Sequence, residues 1–215
     1  MLANLLGNTN SPGLIHDALE EVYRMIQQEE GMFEASSNAF LTGEPPQIDL
    51  SQKDQDINVG ERLVRRLVAE HLALNPHKDL PVSLALISII HDVERIGDYT
   101  KSLSELAEMR PPIMANGNYA GLCREIQAAI TPLFTLTLQA VKDSDEHCAT
   151  EVMQRHRKIK AQTDTILSQA MAETVNQQDA LYYTVGSRYL RRTSAHLSNI
   201  ASSIANPFDQ LGRND

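Results

Sequence analysis

The sequence predicts an all-α protein built as two tandem antiparallel three-helix bundles related by internal duplication. Three observations predict it. Apolar residues recur at spacings of three and four along nearly the whole chain, the pattern of helices that each bury one face. Clusters of Gly, Pro and Asn divide that pattern into six stretches, as turn residues do between helices. The third stretch also has an echo 97 residues later, where SIIHDVERIGDYTKSL falls on VGSRYLRRTSAHLSNI. In that register Val93 meets Leu190, Tyr99 meets His196 and Leu103 meets Ile200, and the order of elements repeats with them.

The first helix is expected from Ser11-Pro12-Gly13, with Ser as N-cap and Pro at the first helical position. Ile15, Leu19, Val22, Ile26 and Phe33 carry its apolar face, and Thr42-Gly43-Glu44-Pro45-Pro46 ends it. A second helix starts near Asp49 or Ser51 and runs through Ile57, Val64, Leu67, Val68 and His71 to about Leu74. Asn75 to Pro81 is a tight break. The third helix carries Val82, Leu86, Ile89, Val93, Ile96, Thr100, Leu103 and Ala107 at alternating spacings of four and three, a seam suited to nearly antiparallel neighbours. Arg110-Pro111-Pro112 closes the first half. Helix four is expected over Tyr119 to Val141, helix five over Asp145 to Ala172, and helix six from Asp179 to Ala205, before Pro207. The two repeat units are therefore drawn as residues 11–110 and 117–206.

The chain of 215 residues is 42% apolar, enough for a sizeable core built from aliphatic side chains, since Trp is absent. Its net charge of −9 argues against nucleic acid as a partner. Residues 1–110 hold 9 Lys and Arg against 18 Asp and Glu, whereas residues 111–215 hold 10 of each. The acidity belongs wholly to the first half. Cys123 and Cys148 lie far apart without zinc-site or disulfide-framework spacing, which suits a reducing compartment. No apolar run approaches the ~20 residues of a membrane span, and MLANLLGNTN lacks the features of a signal peptide. A soluble, cytoplasmic protein with no membrane insertion is the expectation. Cys123, Cys148, His16, His71 and His147 are assigned packing, seam or surface positions. No phosphate-binding glycine loop, HExxH or GxSxG is present, so no catalytic residue is expected.

One stretch is costly for a helix that only packs. His91, Glu94 and Asp98 share a stripe beside the Val93/Ile96 seam. Carboxylates four residues apart repel by a few tenths of a kcal/mol, and Gly97 costs roughly another 1 kcal/mol relative to Ala. Gly97 would allow close approach of a neighbouring backbone or a ligand. An antiparallel hairpin turning at residues 76–78 sets Asp98 near Asp54, Asn58 or Glu61. Glu94, Asp98, Asp54 and Asn58, with His91 as an optional imidazole, are suitable ligands for a divalent metal or iron. The alternative is that Glu94 pairs with Arg95 or Arg62 and Asp98 is solvated.

Leu86 to Leu106, above all VERIGDYT, resembles the signature of the PhoU family of phosphate-signalling proteins, with an [ED]xxxD motif in an ERIGD(H/Y) context in each of two three-helix bundles. Asp54-Gln55-Asp56-Ile57-Asn58 matches the DxxIN segment of the preceding helix. Arg188-Tyr189-Leu190 and His196 to Ala201 resemble the second copy, so the likeness covers about 11 to 206. It implies a metal on the acidic face of the first repeat. The second motif departs from the pattern. There the family's Glu falls on Arg191 and its Asp on Ala195, while the helix-five positions opposite fall on His156 and Lys160. No metal is expected in the second repeat.

Arg191, Arg192, His156 and Lys160 thus become candidates for docking an acidic partner or an anion such as phosphate, or for pairing with the acidic face in a homodimer. A solvated face bridged by Glu151 and Asp164 is the plain alternative. The resemblance implies a non-enzymatic regulator of phosphate uptake that contacts a phosphate transporter, a sensor kinase or both. Two alternatives stand beside it. One is an accessory or sensor domain of a sodium–phosphate or potassium transport system. The other, a di-metal carboxylate enzyme, would require an ExxH pair that the chain lacks.

Overall fold

Local chemistry sets each helix end in the computed structural model, which describes residues 13–110 and 118–205. Helix α1 spans Leu14–Thr42, with Gly13 rather than Ser11 as N-cap. Ser11, Pro12, Pro111, Pro112 and Pro207 lie outside the described residues. Gly43 ends α1 in the left-handed conformation, its N–H donating to the Ala39 carbonyl, a backbone state open to glycine at little cost. Helix α2 spans Leu50–Leu74, and Asp49 caps it by accepting from the Gln52 amide at 2.9 Å. Helix α3 (Leu80–Glu108) follows the Asn75–Asp79 turn and carries Pro81 in its first turn, where no N–H is needed.

The second half repeats this order. Helix α4 spans Asn118–Asp143 and contains Pro132 in its interior. Helix α5 spans Glu146–Ala172, with Asp145 accepting from the amides of His147 and Cys148. Helix α6 spans Gln177–Ala205. Among the described residues there is no strand.

Helices α1, α2 and α3 pack on one another, as do α4, α5 and α6, forming two three-helix bundles. The bundles join through α3 against α6 and α1 against α4. Their shared core is apolar, and aromatic rings mark the join. Phe33 and Phe134 meet at 5.4 Å between centroids, and Phe40 packs on Tyr182 and Tyr183. The Tyr182 hydroxyl donates to the Phe40 carbonyl at 2.8 Å. Gly186 on α6 lies under the Phe40 ring so closely that a methyl group there would collide with it.

A polar seam crosses the α3–α6 contact. His196 Nδ1 stands 2.7 Å from Asp92 Oδ1, and Asn199 donates to the same oxygen at 2.9 Å. The His196 ring stacks on Tyr99, whose hydroxyl accepts from Arg192 Nε at 3.1 Å. Asp92 therefore serves the contact between bundles, apart from the Glu94/Asp98 stripe on its own helix.

Candidate metal centre

The first bundle gathers carboxylates from all three of its helices. Asp54 comes from α2, with Asn58 one turn on, Glu94 and the partly exposed Asp98 come from α3, and α1 contributes Glu29, close enough to feel the three other carboxylates. Glu29 is fully buried, and among the described residues neither of its oxygens has a hydrogen-bond partner of ordinary geometry. Burial is the main reason its carboxyl titrates well above the usual range, and the negative fields of Asp54, Asp98 and Glu94 push the same way. The Gly97 backbone alone opposes that shift. A buried carboxyl left unpaired costs free energy on the order of 1–3 kcal/mol or more. Gly97 makes room for it: a Cβ at that position would stand 2.7 Å from Glu29 Oε1. The close approach expected at Gly97 is thus made by a carboxylate of α1.

Glu94 is half-buried, and its carboxyl is raised by burial and by Asp98, with Arg95 pulling the other way. Asp98 pairs with Arg95 at 3.0 Å. His91 is exposed on the solvent side, 3.8 Å from Glu94. Across the hairpin, Lys101 Nζ lies 2.9 Å from Asp54 Oδ2, and Asn58 Nδ2 donates to the same oxygen at 3.3 Å. Glu61, the third residue expected near Asp98, pairs with Arg65 at 2.8 Å.

The donor chemistry fits a cation that prefers oxygen: hard carboxylate ligands, one of them buried and unpartnered. With Asp54 turned to Lys101 and Asp98 to Arg95, no three His, Cys, Asp or Glu side chains among the described residues stand together as a ready-made ligand set. Closing a shell requires those two carboxylates to leave their present partners.

The corresponding place in the second bundle is built differently. Ser194 takes the position of Gly97 in the 97-residue register. Its hydroxyl lies 2.9 Å from Nδ1 of the buried His156. Burial first, then the charges of Arg191, Lys160 and Arg157, depress the His156 pKa to about 4, so the imidazole is neutral. No carboxylate appears among the buried residues of α4. Arg191 pairs with Asp164 at 2.7 Å and Arg155 with Glu151, the two neighbours expected from sequence. Lys160 is exposed. Arg192 leaves this group altogether and lies over the Tyr99 ring at 5.3 Å. The four docking candidates therefore separate into an exposed pair (Lys160 with the partly exposed Arg191), a buried His156 and an inter-bundle Arg192.

Glu29 escaped the sequence reading, although a signal was there. The α1 seam runs Ile15, Leu19, Val22, Ile26 and then Phe33, and the four–three alternation calls for one more position at 29. An acid stands where the pattern requires an apolar residue.

Residues 22–107 match the PhoU domain family. Among solved structures, the chain is similar to the crystal structure of PhoU from Pseudomonas aeruginosa, at 20% identity and a TM-score of 0.75, over 89% of this chain and 95% of that one. It is likewise similar to the phosphate transport system regulatory protein PhoU from Streptococcus pneumoniae, at 16% identity and a TM-score of 0.75, over 88% and 92% of the two chains. No curated protein matches the sequence. The carboxylate-lined first bundle coincides with the matched residues, and the structural likeness spans both bundles: residues 22–107 match the PhoU domain, and the chain has the fold of these two structures.

Proposed function

We propose that the chain is a non-enzymatic regulator of phosphate uptake and phosphate signalling, an adaptor that engages a phosphate transporter, a sensor kinase or both from the cytoplasm. The observation that carries this reading is the buried, unpartnered Glu29 at the centre of an acidic face within a PhoU domain. Glu29, Asp54, Glu94 and Asp98 would hold a divalent metal or iron, with Asn58 as a further oxygen donor and His91 at the rim. The ion would supply positive charge to this face and so a point of attachment for an acidic or phosphorylated partner. Lys160 and Arg191 on the second bundle offer a separate basic face, suited to an acidic partner surface, including the acidic face of another copy in a homodimer.

A regulatory role also agrees with the thiols. Burial pushes the Cys123 pKa up to about 12 and raises that of Cys148, so neither is a ready nucleophile. Among the described residues no helix is long and apolar enough to cross a membrane.

The test is genetic. Deleting the gene in its source organism should raise phosphate uptake in phosphate-rich medium, and the wild-type chain should restore control. A Glu94→Ala/Asp98→Ala variant, expressed to the same level, should fail to restore it. Unchanged uptake in the deletion strain would count against the regulatory role, and full rescue by the double variant against the acidic face as its working part.

A further inference from the structure

We infer that Lys101 is a built-in competitor for the cation of the first bundle, an ammonium that must leave Asp54 before that carboxylate can ligate a metal. The inference rests on the metal reading above and adds how that site is regulated. Lys101 follows Asp98 by three residues and Gly97 by four, so it shares the face of α3 that meets α2. Its Nζ lies 2.9 Å from Asp54 Oδ2 across the hairpin. Two cations cannot share that oxygen at bonding distance without strong mutual repulsion. Lys101 therefore compensates the Asp54 carboxylate at the oxygen a metal would need.

The second feature is that the competitor can withdraw. The Lys101 side chain is 37% exposed while Asp54 is only 15% exposed. A long, flexible stem lets the ammonium swing into water, leaving the carboxylate in place. Arg95 acts on Asp98 in a different setting. That pair is 44% and 42% exposed and lies within one turn of one helix, where ion pairs contribute little. Lys101 bridges two helices on the sheltered side of the cluster. It is the residue that decides which ions enter and at what concentration: an ion must outcompete a tethered ammonium. Glu29 is untouched by this device, because among the described residues its oxygens have no hydrogen-bond partner of ordinary geometry.

The experiment compares metal-stripped wild type, Lys101→Met and Lys101→Arg by calorimetric titration with manganese(II) and, separately, zinc(II). Circular dichroism confirms that each variant is folded. Lys101→Met keeps the stem and removes the charge, so it should bind metal roughly tenfold more tightly than wild type. Lys101→Arg keeps the charge and should bind no more tightly than wild type. Equal affinity of wild type and Lys101→Met would overturn the competitor role while leaving the metal site standing. Weaker binding by Lys101→Met would overturn it as well, by making Lys101 a support of the site. If no form binds either ion, both the competitor and the metal reading fail.

Discussion

Glu29 sits at a seam position flanked by Ile26 and Phe33, and the seam positions before it (Ile15, Leu19, Val22 and Ile26) are all apolar and buried. A protein that needed this helix only for packing would place Leu or Met there. Glu29→Met, which fits the same space without a polar group, should raise the stability of the metal-free protein by about 1–3 kcal/mol. For a chain of this size that is a rise of several degrees in Tm, measured by thermal unfolding in the presence of a chelator. The same variant should lose the further rise that added metal gives wild type through binding to the folded state. A lower Tm for the chelated variant would show that the carboxyl supports the fold, and the functional reading of this residue would fail. Glu94 and Asp98 were legible in the sequence because their spacing defines a face. Glu29 was legible only as a defect in an apolar pattern. Lys101 was not legible, since its role depends on the rotation of α2 against α3. His91 shares the stripe but lies toward water, because a stripe fixes direction only to within part of a turn.

At the scale of elements, the helix ends were the most readable feature. Gly43, Asp49 and Asp145 end or begin helices by chemistry confined to one turn, which is why sequence alone places them. Gly13 precedes α1 as its N-cap without a side-chain hydrogen bond. Contacts between helices from different bundles were out of reach. Asp92 and His196 are 104 residues apart, and their meeting depends on how α3 lies along α6. The same holds for Gly186, which permits α6 to pass under Phe40. Gly186→Ala should destabilise the protein by about 1–3 kcal/mol, because a fully buried ring must move. Gly31→Ala is the control: it lies on exposed α1 surface with open space beyond, and should stabilise by up to about 1 kcal/mol. Denaturant unfolding of both variants measures the pair. A neutral Gly186→Ala would mean that the α1–α6 join is looser than the packing indicates.

Across the whole molecule, the two bundles share a fold and oppose each other in charge. The first half carries the entire net charge of −9 and collects acids around Glu29. The second fills the equivalent space with a neutral His156 bonded to Ser194, ringed by Arg191, Lys160 and Arg157. One bundle thus gathers carboxylates at this place and the other does not. The substitutions at 191 and 195 made this asymmetry visible in the sequence, whereas the His156–Ser194 pair that fills the second site emerged only from the fold. The most direct test of this asymmetry is anomalous scattering from crystals soaked in manganese(II). A peak among Glu29, Asp54, Glu94 and Asp98, with none beside His156 and Ser194, is the predicted result. A peak at His156, or no peak within the first bundle, would contradict it.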